Sequence, residues 1–142
     1  MASRVVVQAK PIVAGAASGE LLATSESLSF WGGLDPNTGE IIDRHHELSG
    51  QNLAGRVLVV PSGRGSCSAS GVLLEAICNG NGPAAIITSR IDPIVGLGAI
   101  LAEELYGHVV PVLVVDPTDF ARLSTGRNAS IHASGVIETS GD

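Results

Sequence analysis

Apolar residues near the start of the chain recur at every second position. Val5, Val7 and Ala9 stand at alternate places, the period of a strand with one buried face. Residues 11–13 continue this pattern into Gly15, and residues 20–24 and 28–30 read as short strands parted by serine-rich turns. In Asp35-Pro36-Asn37-Thr38-Gly39 the proline presets φ and the glycine tolerates a positive one, so a tight turn is expected, with another strand over 40–43. Short strands so closely spaced predict an antiparallel sheet or a flattened barrel.

The rhythm changes in the second half. Residues 56–60, 84–88 and 109–115 are almost wholly apolar, as strands buried on both faces are. Between the first two, Ala69, Val72, Leu73, Ala76 and Ile77 repeat with helical spacing, and Asn79-Gly80 closes that helix. Between the second and third, Asp92 is placed to cap a helix with Pro93 at its first position and Gly107 at its end. Ile94, Leu97, Leu101 and Leu105 form its expected buried stripe. Asp116-Pro117 opens a short helix, and residues 130–138 alternate as a terminal strand or hairpin. Three apolar strands linked by two helices make a parallel βαβαβ unit. The fold class expected is therefore α/β: a single domain over 1–142 in three layers, β/β/α. A small parallel sheet has helices on one face and an antiparallel sheet or flattened barrel on the other.

Composition narrows the function classes. The chain has 142 residues, 44% hydrophobic and 15% charged, enough to bury a core and too apolar for disorder. No apolar run approaches the roughly 20 residues that cross a bilayer. With 8 Lys+Arg against 14 Asp+Glu, a net charge of −6, and 3% aromatics, nucleic acid is not an expected partner. The first residues lack a secretory pattern, so a reducing cytoplasm is expected. On one helix Cys67 and Cys78 would lie about 16 Å apart, beyond the ~7 Å that a disulfide spans. No CxxC or HxxxH occurs, and no metal site is expected within this chain.

The loop after the first buried strand holds the most chemistry. In Pro61-Ser62-Gly63-Arg64-Gly65-Ser66-Cys67-Ser68 two glycines let the backbone turn sharply just before a helix, beyond the carboxyl end of a parallel strand where ligands gather. Free N–H groups at that helix start favour a carboxylate or an oxyanion forming on Ser66, with Arg64 alongside as a cation. On spacing alone the loop reads equally as a plain helix cap. It is neither a Walker loop nor a nucleophile elbow. Trp31, Gly32 and Gly33 read either as an aromatic plug or as a loop lining a cleft. In Asp43-Arg44-His45-His46-Glu47, adjacent histidines on a strand would face opposite ways, leaving His46 a structural or substrate-orienting role. One reactive loop without a complete active site points to a subunit that completes a cleft on a partner.

The ordered series Ser29-Phe30-Trp31-Gly32-Gly33, Asp35-Pro36-x-Thr38-Gly39, Asp43-Arg44-His45-His46, Gly50-Gln51, Gly55 and Pro61 to Ser66 resembles the small subunit of aconitase X. The likeness continues through Leu73-Leu74-Glu75, Pro83-Ala84-Ala85-Ile86 and Leu97-Gly98-Ala99-Ile100. It implies a swivelling β/β/α domain that closes over a larger catalytic subunit. That subunit would carry iron or an iron-sulfur cluster, with no cofactor on this chain alone. By position it implies that Ser66 is the catalytic base of a hydro-lyase. Cys67 and Ser68 stand where the wider superfamily has a second serine and a substrate-binding arginine, so Arg64 or the large subunit would replace the latter. Arg64, Gly65, Cys67, Ser68, Trp31, Gly32, Gly33 and His46 are the expected substrate-binding residues. The implied reaction is dehydration of a small hydroxy acid, in which Ser66 takes a proton from carbon while iron helps the hydroxyl leave. cis-3-Hydroxy-L-proline is favoured; the alternatives are mevalonate 5-phosphate as substrate, or a non-catalytic docking module.

Overall fold

A computed structural model describes residues 4–63 and 68–140. Its eight strands are β1 (Val5–Gln8), β2 (Lys10–Val13), β3 (Ala17–Ala23), β4 (Val57–Val59), β5 (Ala85–Thr88), β6 (Val112–Val114), β7 (Asn128–Ile131) and β8 (Val136–Thr139). They form one sheet in the order β1-β8-β7-β3-β4-β5-β6-β2. The two ends of that order are consecutive in the chain, with only Ala9 between β1 and β2, so the sheet curls back on itself into a nearly closed barrel. A second corner lies within β3. Ala17 to Glu20 pair antiparallel with β7, whereas Leu21 to Ala23 pair parallel with β4. Strands that change sheets in this way make the corners of a flattened barrel. At the Ala9 corner the Ala9 amide donates to the Gly135 carbonyl at 2.9 Å. A Cβ on Gly135 would lie 2.5 Å from the Ala9 carbonyl oxygen, and its φ is +93°, so glycine alone fits there.

The alternation of side chains builds two cores. Val57, Val59, Ala85, Ile87 and Leu113 face Val5, Val7, Ile131 and Ile137 between the sheets. Leu58, Val60, Ile86 and Val112 face the other way, beneath the helices. Those helices are α1 (Ser68–Cys78) and α2 (Pro93–Tyr106), and a short α3 (Pro117–Phe120) follows β6. The layers are β/β/α, as expected. The parallel part has four strands rather than three, because the second half of β3 joins β4, β5 and β6. The sequence 130–138 is a hairpin of β7 and β8. No helix among the described residues is long and apolar enough to cross a membrane.

Three expectations are corrected. Residues 28–30 are not a strand: Leu28 makes one bridge, to Gly63. Residues 40–43 likewise make only the isolated bridges Glu40↔Asn52 and Leu34↔Ile41. Between β3 and β4, turns at Gly32, Gly39, Gly50 and Gly55, each at positive φ, redirect the chain before a ladder can extend. Phe30, Leu34, Ile41, Leu48 and Leu53 are nonetheless buried in the core under the helices. The third correction concerns the stripe of α2. Leu97 and Leu105 are exposed, at 41% and 62%, and the buried face is Val95, Gly96, Gly98, Ala99 and Ala102. Small residues win because they let the helices approach: a Cβ on Gly98 would meet the Ser70 carbonyl oxygen at 3.0 Å. The Ser70 hydroxyl donates to the Ile94 carbonyl at 2.8 Å across that contact.

Candidate active site

The junction that leads out of β4 is held from three sides. The Leu28 amide donates to the Ser62 carbonyl at 3.3 Å, and the Ser89 amide donates to the Pro61 carbonyl at 3.2 Å. The Ser62 hydroxyl lies 3.1 Å from the Ser27 hydroxyl and accepts from Arg90 Nη2 at 3.0 Å. The ends of β3, β4 and β5 are thus tied together at their carboxyl side. The Gly63 amide donates to Asp92 Oδ2. The other carboxylate oxygen, Oδ1, accepts from Ile94 and Val95 at 2.9 and 3.2 Å as the cap of α2. One side chain therefore caps a helix and pins the junction. A Cβ on Gly63 would lie 3.0 Å from that carboxylate and 3.1 Å from Val95 Cγ2, which explains the glycine there.

Arg64, Gly65, Ser66 and Cys67 lie outside the described residues, and Ser68 is the first residue of α1. By chain connectivity, four residues join the pinned Gly63 to a helix start. Helix starts carry unpaired N–H groups and the positive end of the dipole, a setting suited to anions. Cys78 is a free thiol at the far end of α1.

The remaining candidates separate. Phe30 is buried at 1% and serves as the plug, while its neighbour Trp31 is 64% exposed. Gly32 has φ +77°, and Gly33 packs so closely that a Cβ would strike the Ser29 carbonyl. His46 is buried in a turn rather than a strand, and His45 beside it is exposed. The Leu48 amide donates to His46 Nδ1 at 3.0 Å, so Nε2 carries the proton and donates to the Glu26 carbonyl at 3.2 Å. Both ring nitrogens are thus occupied by backbone, and His46 fastens the 43–50 turn onto the segment after β3.

Glu47 accepts from the Thr24 hydroxyl and from the Ser25 amide. The Thr24 hydrogen bond first, then that of Ser25, hold its carboxyl below the ordinary glutamate value. Beside it, a cavity of about 280 Å³ is lined by Ala23, Thr24, Ser25, Glu47, Phe120, Ala121, Leu123 and Thr125. None of the described candidates lines it. Among the described residues, no group of three or more His, Cys, Asp or Glu side chains could hold a metal ion.

Sequence reasoning missed the second role of Asp92 and the placement of Arg90. The one available signal was the choice of aspartate at a cap position: a serine has one oxygen to offer, a carboxylate two.

The fold and this junction define a β/β/α domain with its principal loop at the carboxyl end of a parallel sheet. The chain belongs to the Aconitase X swivel domain family, whose model matches residues 6–139. It is 50% identical over 127 residues to the Cis-3-hydroxy-L-proline dehydratase of Hypocrea jecorina, a match covering 89% of this chain and 21% of that protein. The chain thus spans about a fifth of the length of that relative. It is 41% identical over 120 residues to the Phosphomevalonate dehydratase small subunit of Methanopyrus kandleri, covering 84% of each. The crystal structure of Thermococcus kodakaraensis aconitase X (holo-form) superposes with a TM-score of 0.86 at 35% identity, covering 96% of this chain and 98% of that one.

Proposed function

We propose that this chain is the swivelling part of a hydro-lyase. It would act with a larger catalytic partner to dehydrate a small hydroxy acid, cis-3-hydroxy-L-proline in the first instance. Ser66 supplies the base. The observation that carries the reading is the junction itself. Ser62 and Gly63 are tied to Ser27 after β3 and to Arg90 and Asp92 between β5 and α2, and α1 begins at Ser68. A serine hydroxyl is almost fully protonated at neutral pH, so it removes a proton from carbon only where donors stabilise its alkoxide. The start of α1 is a source of such donors. The 50% identity to a hydroxyproline dehydratase, against 41% to a phosphomevalonate dehydratase small subunit, supports the first substrate. The described residues offer no cradle for iron, so the proposal assigns any iron centre to the partner and draws no step through it.

The test uses the chain assembled with its large partner. Ser66→Ala is expected to leave substrate affinity unchanged and to lower turnover by ~10²–10⁴-fold, the range for a lost general base. Turnover within a few-fold of wild type would overturn Ser66 as base and favour a docking module. The mevalonate reading is supported by 38% identity over 133 residues to the Phosphomevalonate dehydratase small subunit of Thermococcus onnurineus. Offering both hydroxy acids to the same assembly decides between them.

A further inference from the structure

We infer that the cavity beside Glu47 is a socket for a lysine side chain of the large partner subunit, an inference that rests on the functional reading above. Ala23 ends β3, the Thr24 amide donates to the Val59 carbonyl at 2.9 Å, and the Ser27 hydroxyl, two residues beyond Ser25, meets that of Ser62. The cavity therefore lies at the carboxyl end of the parallel strands, the end that the proposed hydro-lyase would turn toward its partner. Its volume, about 280 Å³, is just under the ~300–1,000 Å³ of small-molecule pockets, so it suits one side chain better than a whole ligand.

The lining selects a cation on an apolar stem. Ala23, Phe120, Ala121 and Leu123 form apolar walls, and Glu47 supplies the charge. Its two hydrogen bonds, from Thr24 and Ser25, keep that carboxyl ionised at neutral pH. Glu26 adds a second negative charge, its Oε1 accepting from the Glu47 amide at 3.1 Å. Arg122, whose chain neighbours line the cavity, is paired with Asp119 at 3.3 Å. Both bonds to Glu47 end on Oε1, which fills its lone pairs, and no contact among the described residues uses Oε2. One open oxygen cannot take the bidentate fork of an arginine, whereas an ammonium is a compact point charge that bonds one oxygen at a time. The alkyl stem of lysine packs along apolar walls while its head reaches a charge at the rim.

The test measures the dissociation constant of the chain from its large partner. Glu47→Gln keeps an oxygen for Thr24 and Ser25 and removes the charge. The constant is expected to rise about 10-fold in low salt, and the ratio to wild type to shrink to about 2-fold in ~0.5 M KCl. Glu103→Gln makes the same charge change in the last turn of α2, at the opposite end of the sheet, and is expected to leave the constant unaltered. Ala121→Phe fills the cavity from an exposed position and is expected to raise the constant about 10-fold at every salt concentration. A carbodiimide, which joins a carboxylate to an amine in contact with it, should link Glu47 to a lysine of the partner, seen by mass spectrometry and lost in Glu47→Gln. An unchanged constant for Glu47→Gln or Ala121→Phe, an equal loss for Glu103→Gln, or a Glu47 cross-link that is absent or made to a second copy of this chain would overturn the socket. If the wild-type chain binds no large partner, the functional reading and the socket fall together. If Ser66→Ala turns over normally while the Glu47 effects hold, the base falls and the socket stands.

Discussion

Replacing Asp92 tests whether one carboxylate holds both a helix and the junction. Asp92→Ala deletes three acceptor contacts at once: those to Ile94, Val95 and Gly63. Loss of the cap costs about 1 kcal/mol. Loss of a charge-assisted bond to Gly63 costs about 1.5–3 kcal/mol, toward the lower end here because Asp92 is only half-buried. The sum, about 2–4 kcal/mol, corresponds to a fall in melting temperature on the order of 10 °C for a chain of this size. Asp92→Ser separates the two roles, because a serine hydroxyl caps the helix and is too short to reach Gly63 as well. Asp92→Asn also keeps the cap but presents an NH₂ where Oδ2 had been. Both are expected to cost about half as much as alanine. Thermal unfolding followed by circular dichroism gives the stabilities, and amide hydrogen exchange resolves the contacts. Exchange at Gly63 should rise in all three variants, and exchange at Ile94 and Val95 only in the alanine variant. A protected Gly63 amide in Asp92→Ser, or alanine no less stable than serine, would refute the double role.

Three further outcomes follow from packing and charge. Glu47 has a folded pKa below its unfolded one, so the unfolded chain binds the proton first as pH falls; its contribution is full above the ordinary glutamate range and lost below it. Glu47→Gln should therefore flatten the decline of the urea midpoint between about pH 5 and pH 3, and an unchanged acid limb would count against the hydrogen bonds from Thr24 and Ser25. Gly98→Val should lower stability by about 1–3 kcal/mol through overpacking against Ser70 and Leu73. Gly71→Ala, in α1 with nothing within 4 Å of its Cβ position, should raise stability by about 0.5–1 kcal/mol. Equal signs for the two glycines in a denaturation series would overturn the account of the helix contact.

Much of this fold was legible because local signals agreed with the tertiary outcome. The caps Asp92 and Gly107 act where their chemistry put them, and the doubly buried strands read as unbroken apolar runs. The stripe of α2 misled because large apolar residues were assumed to face inward. Here close helix contact selected glycine and alanine, leaving Leu97 and Leu105 outside. Residues 28–30 and 40–43 have the burial of strands without partners to pair with, and pairing is a long-range property that period-two spacing does not encode. The shared use of Asp92 was hidden for the same reason: Gly63 lies 29 positions away in sequence. Sequence named the loop around Ser66 on its glycines and serines. The groups that steady its base, Ser27, Ser62 and Arg90, come from three separate strand ends.

The pairing of β1 with β8 sets Val5 opposite Thr139, so the first and last described strands run side by side. A domain with adjoining ends can be spliced into a longer polypeptide, or tethered to it at a single point, without opening its barrel. The same unit matches a fifth of one relative and nearly all of another. Geometry that gathers both described ends in one place suits either arrangement, since a connection made there leaves the ladder of strands unbroken.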